Sequence, residues 1–154
     1  MKKILALIVL GIMLFAAESN AQVKQAVIGV DGFTCSLCAK GVEGQLKGLD
    51  YVKSVKTDLK ETTFTLTFYS NKEIKLSELR DAIKDGGFSL RGISIVADGT
   101  LSGDAASGFS LTTGNSPNLI LKYNNGDLSK GDKVEVSGSV SLPNTVNVTG
   151  IKKK

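Results

Sequence analysis

The sequence predicts an α+β protein: a ferredoxin-like βαββαβ sandwich followed by a small all-β, OB-like barrel. Three observations predict it. Residues 23–96 alternate between the two-residue period of strands and the 3.6-residue period of helices, in the order β-α-β-β-α-β. After Val96 the composition shifts to Gly, Ser, Thr and Asn, with short alternating runs and no helical period. Ahead of both lies an apolar leader that belongs to neither.

The leader has Lys2 and Lys3, then 14 apolar residues over 4–17, then Ser19-Asn20-Ala21. That run is short for a bilayer span of about 20 residues and fits a secretory signal. Residues 1–21 are therefore expected to be removed, leaving no membrane span, and the mature chain is expected to be periplasmic or otherwise secreted. The expected units are 22–96 and 97–154.

Residues 23–30 read as a β-branched strand ended by Asp31-Gly32. From Leu37 the period becomes helical, with Cys38, Val42, Leu46 and Leu49 on one face. Gly41, Gly44 and Gly48 weaken that helix, so packing must hold it. Residues 51–57 form the next strand, and 59–61 a tight connection. Residues 62–68 are the clearest strand, with Phe64, Leu66 and Phe68 on one face and Thr63, Thr65 and Thr67 on the other. Leu76, Leu79, Ala82 and Ile83 mark a second helix, stopped by Gly86-Gly87. Residues 88–96 read as the fourth strand.

The second unit holds five short runs: 100–102, 109–112, 119–123, 133–140 and 145–148. Turn signals separate them, such as Gly114-Asn115-Ser116-Pro117 and Lys130-Gly131-Asp132. Five such strands suggest a small barrel. Lys152-Lys153-Lys154 reads as a solvated end.

Composition narrows the chemistry. The chain has no histidine or tryptophan, two prolines and two cysteines, and its methionines, Met1 and Met13, lie in the leader. A histidine-based zinc site, a histidine general base and a methionine-rich copper site are excluded from the mature chain. The net charge of +4 falls to +3 without Lys2, Lys3 and Glu18. That is too mild to indicate nucleic acid, and the barrel offers only Phe109 and Tyr123 as aromatic platforms. No catalysis is expected.

Cys35 and Cys38 sit where the strand pattern gives way to the helical one. A bridge across so short a loop restrains little of the unfolded chain, so chemistry is the better reading. As thiolates at a helix N-terminus they suit a soft monovalent ion such as Cu(I). The same pair could cycle through a disulfide, or stay permanently oxidised while the barrel does the binding. A thioredoxin-like enzyme would need a proline facing the pair, whereas Pro117 and Pro143 lie in the second unit.

Residues 23–95 resemble the heavy-metal-associated domain family, which includes copper chaperones, modules of copper-exporting ATPases and periplasmic mercury-binding proteins. The resemblance rests on Gly32-Phe33-Thr34-Cys35-Ser36-Leu37-Cys38, Val42-Glu43-Gly44-Gln45-Leu46, Leu49-Asp50-Tyr51-Val52-Lys53-Ser54-Val55 and Ala82-Ile83-Lys84-Asp85-Gly86-Gly87-Phe88. It implies Cu(I) held by Cys35 and Cys38, with Hg(II) and Zn(II) as alternatives. It also implies support of the metal loop by Phe33, Thr34 and Phe88, and exchange with a metal-donor or metal-acceptor protein such as a metal-transporting ATPase. Phe33 stands where the family usually has methionine, and Tyr51 where it usually has glycine. The second unit resembles small bacterial OB-fold modules through 128–138, and a docking or stabilising role is expected of it.

Overall fold

The computed structural model describes residues 21–32, 35–104, 106–123, 127–141 and 143–154. The expected signal segment lies outside them except for Ala21, as do Phe33 and Thr34.

Among the described residues eight strands and two helices follow one another. They are β1 (Val23–Asp31), α1 (Ser36–Lys47), β2 (Val52–Asp58), β3 (Thr63–Phe68), α2 (Leu76–Asp85), β4 (Ser89–Asp104), β5 (Gly108–Thr112), β6 (Leu119–Lys122), β7 (Lys133–Ser141) and β8 (Thr145–Lys153). The first four strands lie in the order β2-β3-β1-β4, all antiparallel, which with the two crossover helices is the split βαβ arrangement. The register explains the core. Val55, Leu66, Ala26 and Ile95 form one row across the sheet, and Phe64, Ile28 and Ile93 line the next. Strand alternation puts all of them on the same face, and all but Val55 are fully buried. Val42 and Leu46 of α1 and Leu79 and Ile83 of α2 complete this core. The other face carries Lys56, Thr65, Val27 and Ser94 and is more open.

Tyr51 has a structural use of its own. It is buried, its hydroxyl donates to the Lys75 carbonyl at 3.0 Å, and its ring centroid is 6.3 Å from that of Phe68. It joins the start of β2 to the segment that enters α2.

The expected end of the fourth strand at Val96 is corrected. β4 continues without a break to Asp104, so the expected boundary between 96 and 97 falls inside a strand. From Ser94 onward β4 pairs with β7, and from Thr100 onward with β5. Sequence reading missed this because the composition shifts to Gly, Ser, Thr and Asn after Val96, although the strand does not end there. Here Asp98 is neutralised by distant lysines, while Gly99 provides clearance. A side chain on Gly99 would place its Cβ 2.7 Å from Leu111 Cγ, so glycine lets β5 cross close over β4.

The barrel closes in the order β4-β5-β6-β8-β7 and back to β4, with β6 and β8 parallel and the other pairs antiparallel. Leu101, Phe109, Leu111, Leu119, Leu121, Val134, Val136 and Val146 fill it. Phe109 thus faces the barrel interior and is no platform for stacking. The lysine tail is exposed, as expected of a solvated end, but it is also part of the sheet. Lys152 and Lys153 belong to β8, where they pair with Glu135 and Val134, and Lys153 Nζ lies 2.9 Å from Asp132. Among the described residues no helix is long and apolar enough to cross a membrane.

Two buried polar residues fix the barrel to the first unit. Asn115, 2% exposed, accepts the Val23 N–H at 2.8 Å and donates to the Val23 carbonyl at 3.2 Å, as a neighbouring strand would. Its own carbonyl accepts the Ile74 N–H at 2.7 Å. Asp98, with a side chain 8% exposed, meets Lys24 Nζ at 2.8 Å and also pairs with Lys154. Burial opposes its ionisation, but the Lys154 and Lys24 hydrogen bonds outweigh that and hold its carboxyl below the usual range. Lys24 is raised in turn by its bonds to Asp98 and Glu135.

Candidate metal centre

β1 ends at Asp31, Gly32 follows with φ of +100°, and α1 begins at Ser36. A left-handed residue at the strand exit favours glycine, and this turn sends the chain toward the helix. Cys35 is the N-cap residue of α1, in extended conformation with φ −128° and ψ 149°. Its sulfur accepts the Cys38 N–H at 3.1 Å, the role usually filled by a Ser, Thr, Asp or Asn oxygen. Its carbonyl accepts the Ala39 N–H at 3.2 Å. Buried Ala39, Val42 and Leu46 anchor the helix to the core, which offsets the weak propensity of its glycines.

Cys35 and Cys38 are joined as a disulfide, with Cα atoms 5.4 Å apart. Cys35 is exposed and Cys38 half-buried. No acidic side chain occupies the first turn of α1, so the positive end of its peptide dipoles faces the sulfurs uncompensated. That field favours thiolates once the bond is reduced. Among the described residues no group of three or more Cys, Asp or Glu side chains could hold a metal ion. A tetrahedral zinc site would therefore need ligands beyond this pair.

Of the three expected support residues, Phe88 is described. It is half-buried on the core, and its Cδ1 would lie 3.6 Å from a Cβ on Gly32, which places its ring beside the start of the metal loop. Phe33 and Thr34 lie outside the described residues. Sequence reading passed over Arg91, which reaches the base of the same loop. Its one available signal was the pair Gly29 and Gly92, which interrupts two otherwise β-rich runs.

The heavy-metal-associated domain model matches residues 27–89. Those residues form a heavy-metal-associated domain. Copper chaperone CopZ of Staphylococcus aureus is 28% identical over 67 residues, covering 44% of this chain and 97% of that protein. Copper-transporting ATPase 2 of Homo sapiens is 31% identical over 96 residues, 61% of this chain but 6% of that protein. A solved CopZ metallochaperone shares 29% identity with a TM-score of 0.40, covering 43% of this chain and 97% of its own. The barrel strands β5 to β8 lie beyond the segment that the heavy-metal-associated domain model matches.

Proposed function

We propose that this chain is an exported protein that carries or sequesters a soft metal ion, Cu(I) foremost, through Cys35 and Cys38. The observation that carries the reading is the meeting of both sulfurs at the uncompensated N-terminus of α1, at the exposed end of a heavy-metal-associated domain. The copper-chaperone and copper-ATPase relatives support the choice of metal. Reduction of the pair by an external thiol frees two thiolates three residues apart, which suit near-linear Cu(I). Two-coordinate metal is open to attack by a partner's thiolates, so exchange passes it to an acceptor such as a metal-transporting ATPase without chemistry on a substrate. The closed barrel, with its parallel β6–β8 pair, is read as an OB-type module that docks a partner or stabilises the chain.

The test is Cu(I) competition against a chelator, with the mature chain reduced and kept anaerobic. One equivalent is expected to be retained and to be lost in Cys35→Ser and Cys38→Ser. Failure of the unmutated chain to compete would sink the copper reading, and an Hg(II) titration of the same samples ranks the mercury alternative. The bonded sulfurs favour a second reading, a thiol–disulfide module. It predicts reversible two-electron cycling under buffered thiol, with no metal retained by the reduced chain.

A further inference from the structure

A ladder bulge, a glycine and a strained turn residue converge on one guanidinium at the base of the metal loop. The first is a bulge in the β1–β4 ladder. Gly29 pairs with Gly92 and Val30 with Leu90, so Arg91 has no partner across the ladder. Counting back from buried Ile93, a regular strand would aim residue 91 at the helices. The bulge turns it to the open face, as bulges do beside functional sites.

The second is Gly29, over which the Arg91 side chain lies. A Cβ there would sit 2.9 Å from Arg91 Nε and 3.1 Å from its Nη2. The third is Thr62, the one non-glycine residue with positive φ among the described residues, at +51°. Such a conformation costs about 1 kcal/mol or more and persists where its surroundings require it. Here it delivers the Thr62 hydroxyl to Arg91 Nη1 at 2.8 Å, while the Thr62 carbonyl accepts the Val30 N–H at 3.0 Å. Arg91 Nη2 donates to the Glu61 carbonyl at 2.8 Å, and Nη1 to Asp31 Oδ1 at 3.2 Å. The turn itself is held by Asp58, whose carboxylate accepts the N–H groups of Lys60 and Glu61.

Asp31 is the last residue of β1 and directly precedes Gly32. The fork therefore ties the strand exit that leads to Cys35 to a rigid turn on the far side of β1. We propose that Arg91 is a positioning residue for the metal loop. It braces the loop's entry against the β2–β3 turn, holds Cys35 in register with Cys38, and so slows release of the bound ion. The inference rests on the reading of Cys35 and Cys38 as metal ligands, although the brace itself is a property of the metal-free chain.

The test compares Arg91→Ala, Arg91→Lys and Gly29→Ala. Arg91→Lys keeps the charge but cannot make the three-way fork. Gly29→Ala leaves every partner in place and displaces the guanidinium. Two readouts are needed. One is amide hydrogen exchange at Cys38 and Ala39, whose acceptors both belong to Cys35, in the reduced metal-free chain. The other is the rate of Cu(I) release to a chelator. All three variants are expected to speed both by about twofold to fivefold, the scale of a partly exposed ion-pair fork, with barrel amides unchanged. Wild-type behaviour of Arg91→Lys beside a changed Arg91→Ala would show that charge alone acts and would overturn the brace. Unaltered exchange at Cys38 and Ala39 in all three would overturn it as well. A wild-type chain that retains no Cu(I) removes the functional reading, and amide exchange still decides the brace.

Discussion

β1 and β4 run side by side from the metal loop to the barrel, yet their two ends are built in opposite ways. At the loop end the polar contacts are exposed: Arg91 and Asp31 keep 46% and 59% of their side chains in water. At the barrel end Asn115 and Asp98 are almost wholly buried. Water competes with the first set and cannot replace the second, because a buried polar group that loses its partner carries the full cost of desolvation. The comparison teaches a division of labour along one pair of strands. Buried polar contacts hold the strands at the barrel end, while the loop end is held by contacts that water can replace.

The largest expected effect breaks that contrast at its buried end. Asn115→Ala strands the Val23 N–H and carbonyl and should cost about 2–4 kcal/mol, read by urea denaturation. Its Cu(I) retention should match wild type below the transition, since the two ends are independent.

Asp98→Asn comes next and reads the buried end through pH. The folded-state pKa of Asp98 is depressed. Its contribution is therefore present above the unfolded value of about 3.9 and is lost as pH falls through the folded value. Wild type should lose stability as pH drops below about 4, and the variant should lose less over that window. At neutral pH the variant should be about 1 kcal/mol less stable. Lys24, whose pKa is raised by the same network, contributes stability present below about 10.4 and lost above it.

The smallest effect is expected on α1. Glu43 is held below the usual carboxylate range by Lys47 and by the Thr57 hydroxyl. Glu43→Gln should cost about 0.5 kcal/mol, measured by thermal unfolding, and leave metal retention unchanged.

Much of the first unit was legible in the sequence because its information is local. Phe64, Leu66 and Phe68 alternate as strand residues and are buried as such, while Leu76, Leu79 and Ile83 keep a helical period on a buried face. The cysteine pair was legible for the same reason, since a change of period marks the strand-to-helix turn. What escaped depends on partners far along the chain. Asp98 carries no signal in the sequence until Lys24 and Lys154 are brought to it. Asn115 reads as loop chemistry, yet it takes the place of a strand against Val23. Arg91 lies where periodicity would aim it at the core, and a ladder bulge leaves no local pattern. The lysine tail is solvated as read, but its ion pairs with Asp98 and Asp132 could not be read, because those residues are close to it only after folding.

The uninterrupted β4 turns the molecule into a ruler. Leu90 lies beside the strand exit to the metal loop, while Gly99 is already in the barrel wall. At roughly 3.3 Å per residue the strand sets these points roughly 30 Å apart. One strand therefore holds the barrel wall and that strand exit at a set spacing. No flexible linker separates the two units, so any motion of one is transmitted to the other through a single strand.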